Sequence, residues 1–113
     1  MNKPRVGLIT FGDERDDMWE KVFKNLSEPR HKELREYLSS LPIEQVSFTE
    51  VARTRDDINK QVDKLRLEQV DALIAHTPCW TSPNLVLHGV QRLGIPVALM
   101  TSKSAATHGM VGF

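Results

Sequence analysis

Two alternating periods are the strongest constraint on this chain. Short apolar runs bounded by polar or turn-forming residues alternate with stretches in which apolar residues recur every three or four positions. Arg5-Val6-Gly7-Leu8-Ile9-Thr10 is a near-continuous apolar run and reads as a buried strand. Ile43 to Phe48 reads as a second strand, and its polar Glu44, Gln45 and Ser47 place it at a sheet edge. Asp71 to Ala75 and Ile95 to Met100 are the third and fourth. A helical pattern separates each strand from the next. Such an order calls for right-handed crossovers and a parallel sheet.

The helices carry their own punctuation. Met18, Val22 and Leu26 lie on one side of the first, widened by Trp19 and Phe23. Pro29 is expected to interrupt it, with Ser27 capping a second segment whose stripe is Leu34, Tyr37, Leu38 and Leu41. Thr54 caps a helix over about Arg55 to Glu68, with Asp56 and Asp57 in the first turn. Ile58, Val62 and Leu65 face inward there, while Leu67 points the other way without explanation. Ser82 and Pro83 open the last helix, Val86, Val90 and Leu93 form its stripe, and Gly94 stops it.

With 113 residues the chain is expected to be a single α/β domain over 1–113. The architecture expected is a flavodoxin-like (Rossmann-like) three-layer sandwich with strand order 2-1-3-4. A fifth strand is missing or truncated, since only Met110-Val111-Gly112-Phe113 remains to begin one, so the chain reads as a piece of a longer protein. Fifteen Lys and Arg balance fifteen Asp and Glu, which argues against a general nucleic-acid partner. No apolar run is long enough for a membrane span, and no signal-peptide pattern opens the chain. Cys79 is the single cysteine, which excludes a disulfide framework and a cysteine zinc site. The expected location is cytoplasmic.

In an open parallel sheet, ligands bind beyond the carboxyl ends of the strands, at the switch point. Here that is the crevice between the loops Phe11 to Asp17 and His76 to Ser82. The first loop gathers Asp13, Glu14, Asp16 and Asp17 around Arg15. Its acids fit a carboxylate metal site or, more blandly, a helix N-terminus. A phosphate cradle fits poorly, because the loop has one glycine and four carboxylates. Arg15 is placed either to fork onto sugar hydroxyls or a carboxylate, or to pair locally with Glu14 or Asp17. In the second loop, Trp80 sits between Pro78 and Pro83 and off every helical stripe. A rigidly presented indole suits stacking on the apolar face of a sugar; the alternative is an indole folded onto the core. Cys79 reads as an inert buried thiol and His76 as a hydrogen-bonded structural residue, a ligand or a proton shuttle. No pair among His31, His76, His88 and His108 has a metal spacing.

The run Val6-Gly7-Leu8-Ile9-Thr10-Phe11-Gly12-Asp13-Glu14-Arg15, followed by His76-Thr77-Pro78-Cys79-Trp80, resembles the amino-terminal domain of the L-fucose isomerase and L-arabinose isomerase family. The segment His88-Gly89-Val90-Gln91-Arg92-Leu93-Gly94-Ile95-Pro96 is similar to that family too. The resemblance implies the first domain of a three-domain aldose–ketose isomerase. Such enzymes move a proton through an enediol with manganese or another divalent metal, held by Glu, Asp or Glu, and His residues of later domains. It implies no metal or other cofactor and no catalytic residue within this chain, which alone would be inactive. It also implies partners: the remaining domains of the same polypeptide, neighbouring subunits and a sugar substrate. Arg15 and Trp80 match the residues with which the first domain closes over a neighbour's substrate. The acidic first loop departs from the more basic loop of fucose-type members and leaves the sugar open. The competing reading is a stand-alone sugar-binding or regulatory module.

Overall fold

The computed structural model describes residues 3–101. Four parallel strands form one sheet in the order β2-β1-β3-β4: β1 (Arg5–Thr10), β2 (Glu44–Val46), β3 (Ala72–Thr77) and β4 (Val97–Thr101). The α/β architecture and the strand order are those expected of a flavodoxin-like fold. The expected start of a fifth strand at Met110 to Phe113 lies outside the described residues. Val6 stands opposite Ala72 and Thr10 opposite His76, while His76 stands opposite Met100 on its other side. This double pairing carries β3 two residues past Ala75. His76 and Thr77 therefore belong to the strand and not to the loop that follows.

Side chains alternate across β1 and β3. Ile9, Phe11, Leu73 and Ala75 enter a core shared with Ile58, Val62 and Leu65 of α3 (Arg55–Leu67) and Leu85 and Val86 of α4 (Pro83–Leu93). Thr10 and His76 face the opposite layer. There a helical segment runs through α1 (Asp16–Met18), a π-helical stretch Trp19–Phe23 and α2 (Lys24–Ser39). Thr54 caps α3 as expected, accepting from Asp57 N while the Asp57 carboxylate accepts from Thr54 N. Gly94 ends α4 at φ 62°, the left-handed conformation glycine adopts without strain. Leu67 is exposed, on the outer face of α3.

Two helix expectations are corrected. Pro29 does not interrupt the helix but lies inside α2, so Ser27 caps nothing and is buried. The carbonyl that loses its donor to Pro29 is that of Asn25, an exposed residue whose carbonyl water can serve. The π stretch also rotates the inward face. Trp19, Ser27, His31 and Leu38 are buried, whereas Val22 and Tyr37 are exposed. The wider π turn brings residues four apart into line, which a stripe drawn for a regular α-helix misses.

Candidate functional site

The loop after β1 is fixed by backbone bonds on both sides. Phe11 N donates to His76 O at 2.8 Å and Gly12 N to Ala52 O at 2.8 Å. At Gly12 a Cβ atom would stand 2.9 Å from both the Trp19 ring and Val51, so only glycine lets the chain pass this close. The Thr81 hydroxyl, from the loop after β3, donates to Gly12 O at 3.0 Å and ties the two loops together.

These constraints place Asp13 in the interior, with no exposed surface. Its carboxylate accepts from three nitrogens of Arg15: the backbone N at 2.9 Å, Nε at 3.0 Å to one oxygen and 3.2 Å to the other, and Nη2 at 2.6 Å. Burial by itself would raise the Asp13 pKa. The Arg15 hydrogen bonds and the charges of Arg15 and Arg53 outweigh it and hold the carboxyl below its ordinary 3.8. The pinned guanidinium lies 5.0 Å from the centroid of the Trp80 ring. Trp80 is 39% exposed, so the indole is presented at the surface and not folded into the core. The structure thus brings together Arg15 and Trp80, the two residues singled out in the sequence. The partner of Arg15 is neither Glu14 nor Asp17 but Asp13.

Arg53 was not visible as a site residue. It enters from the segment before α3, donates from Nε to Asp13 O at 3.0 Å and from Nη2 to Asp16 at 2.7 Å, and stacks over Trp19 at 5.0 Å. Nothing in the local pattern of residues 51–55 marks that long-range role. Asp13 and Asp16 are therefore occupied by arginines. Among the described residues no group of three His, Cys, Asp or Glu side chains converges as a metal site. The residues described do not fit a manganese ion. Cys79 is buried beside Trp19 and Val51, and burial pushes its thiol pKa up, which suits packing and not nucleophilic attack.

A second polar cluster lies on the α2 side of the same sheet end. Thr10 Oγ1 is 2.7 Å from His31 Nδ1 and 3.0 Å from His76 Nδ1. His31 Nε2 is 2.6 Å from Phe48 O. All three side chains are buried. Burial lowers both histidine pKa values, and the charges of His31 and Arg30 help bring that of His76 to about 4. Sequence reasoning reached His76 but not His31. Its one signal was the four-residue spacing Trp19, Phe23, Ser27, His31.

Among the described residues no helix is long and apolar enough to cross a membrane. Comparison with known proteins finds no match: no family model, no curated protein and no solved structure is significantly similar to this chain.

Proposed function

We propose that this domain closes over a sugar substrate and contacts neighbouring subunits within an aldose–ketose isomerase of the fucose/arabinose type. The observation that carries the reading is the Arg15–Trp80 pair, held rigid by the buried carboxylate of Asp13. A polyol offers hydroxyl oxygens to a guanidinium and an apolar C–H face to an indole. Arg15 Nε and Nη2 are spent on Asp13, so Nη1 is the nitrogen left for a ligand among the hydrogen bonds described. Because the guanidinium is fixed before a ligand arrives, little ordering entropy is lost on binding. Arg15 and Trp80 act here by binding and excluding water. The chemistry belongs to residues of other domains.

The contact role rests on the α4–β4 side. From Thr81 to Thr101 the only Lys, Arg, Asp or Glu is Arg92, which is turned to Asn59 and Asp63. Pro83, Val86, Leu87, Val90, Val97 and Leu99 line an apolar groove there. Charge depletion of this kind marks the centre of protein interfaces.

Titration of the chain with L-fucose and L-arabinose, followed by Trp80 fluorescence and the Arg15 Nε–H resonance, tests the reading. We expect weak saturable binding, on the order of millimolar, since one Arg–Trp pair buries little ligand surface. Arg15→Ala should abolish it. No response from either residue to any pentose or hexose would overturn the sugar assignment.

A further inference from the structure

We propose that the cavity between the segment after β2 and the first turns of α3 binds a primary ammonium group, carried by a small amine or an amino acid, with Gln61 Oε1, Glu50 and Asp57 as its three acceptors. The site shares no residue with the Arg15–Trp80 pair and does not rest on the sugar reading.

Gln61 is the anomaly that points there. It is only 6% exposed, on the face of α3 that also carries buried Ile58, Val62 and Leu65. An apolar residue would pack at this position at no polar cost. Its amide is oriented by one bond, from Nε2 to Glu50 O at 3.3 Å. A carbonyl oxygen only accepts, so the end facing Glu50 is the NH₂ and the other end is Oε1. Oε1 is buried and has no hydrogen-bond partner. A buried acceptor without a donor is costly, so a donor brought to it is strongly favoured. Gln61 lines a cavity, and the last torsion of a glutamine is broad, so a modest turn of the amide presents Oε1 to that cavity.

The cavity is about 350 Å³, at the small end of the roughly 300–1,000 Å³ of small-molecule sites. Asp57, Lys60 and Gln61 line it from one face of α3, being three and four residues apart, and Phe48 and Glu50 line it from the segment after β2. Asp57 Oδ2 accepts from the backbone N of Arg53 and Thr54, and Glu50 Oε1 accepts from the Thr49 hydroxyl at 3.0 Å. Each carboxylate keeps its other oxygen outside the described hydrogen bonds. No ion pair among the described residues engages Glu50, Asp57 or Lys60. Three acceptors and two negative charges thus face one positive charge. A primary ammonium has three N–H donors and no acceptor, which matches that set group for group, and its bonds to the carboxylates are charge-assisted. A divalent metal ion fits less well. Among the described residues no three His, Cys, Asp or Glu side chains converge, and the Lys60 charge opposes a dication twice as strongly as a monocation. The Phe48 ring supplies an apolar wall for the carbon next to the nitrogen.

The test uses the whole 113-residue chain, ¹⁵N-labelled, at neutral pH. The Gln61 side-chain amide signal is identified by its loss in Gln61→Met. It should move saturably, in the millimolar range, on adding ethanolamine or glycine, and stay in place with sodium acetate or calcium chloride at equal concentration. Tighter binding of glycine would mark Lys60 as the partner of its carboxylate and the ligand as an amino acid; tighter binding of ethanolamine would mark a simple amine. Both results keep the ammonium as the anchor. Glu50→Gln should weaken ethanolamine about twofold to fivefold, the loss of one exposed ion pair, and Lys60→Met should tighten it by a similar factor. Both substituted residues are exposed, so these variants decide the point even if Gln61→Met fails to fold. No response to either amine, an equal response to acetate or calcium, or ethanolamine binding indifferent to both Glu50→Gln and Lys60→Met would overturn the proposal. Arg15→Ala should leave the Gln61 response intact, which keeps this site apart from the sugar reading.

Discussion

Asp13 and Arg15 are joined through both the backbone and the side chain of the arginine, at 2.9 Å from N and 2.6 Å from Nη2, although Asp13 is wholly buried and Arg15 is half exposed. The buried member sets the direction of the exposed one. Asp13→Asn keeps the shape and removes the charge. It should lower unfolding free energy by about 1.5–3 kcal/mol, the range for hydrogen bonds to charged groups, as read by urea denaturation. The same variant should loosen the guanidinium over Trp80 and raise indole quenching by acrylamide. Unchanged stability together with unchanged quenching would show that Arg15 is held by something else.

His76 gives the fold a pH dependence whose sign is fixed. Its folded pKa is about 4 against an ordinary 6.5. Above pH 6.5 neither folded nor unfolded chain binds this proton, and the contribution is complete. Between 6.5 and about 4 the unfolded chain takes the proton and the folded chain resists, so stability falls as pH falls, by on the order of 3 kcal/mol for this residue. His31, lowered in the same direction, adds to the loss. Urea unfolding from pH 8 to pH 4 should show the decline, and His76→Gln should flatten it. A profile level from pH 7 to pH 4.5 would contradict the buried neutral cluster.

At Gly12 the added methyl of Gly12→Ala meets Trp19 and Val51 at 2.9 Å and the Arg53 stem at 3.1 Å. Neither the ring nor the valine is the loose end of a long chain, so the variant should cost about 1–3 kcal/mol. Thermal unfolding measures it. A variant as stable as wild type would mean that this loop is looser than its contacts imply.

The uncharged groove of α4 and β4 leads to an expectation about association. Among the described residues no strand pairs with the outer edge of β4, which lies beside exposed Leu87 and Leu99. The chain should self-associate at micromolar concentration in a sedimentation experiment, and Leu87→Glu with Leu99→Glu should return it to a monomer. A wild-type chain that stays monomeric at every concentration would remove this face from the contact role.

Neither purified domain nor domain plus manganese should interconvert aldose and ketose, since Asp13 and Asp16 are taken by arginines and no metal cluster forms among the described residues. Turnover above background in an isomerase-free preparation would reverse this.

How much of this was legible in the chain follows from how local each signal is. The four strands, their order, the Thr54 cap and the Gly94 stop depend on short patterns and could be read directly. The meeting of Arg15 with Trp80 followed from topology, because both loops leave the carboxyl end of adjacent strands. The inward face of the first helix was misread because the π stretch changes the period without a marker in composition. Pro29 carries a breaker's signature in sequence, but its cost depends on whether the Asn25 carbonyl is exposed, which the local pattern does not show. Arg53 and His31 escaped because their partners lie 40 and 21 residues away in sequence, at Asp13 and Thr10.

The π-helical turn at Trp19–Phe23 sets the phase between the two ends of one helical segment. Such a turn amounts to one residue inserted into an α-helix, and here it works as a phase adjuster. Upstream, Trp19 must face Gly12 and Arg53; downstream, His31 must reach Thr10 beneath the sheet. With regular winding alone the two would fall out of step, and one helix could not serve both.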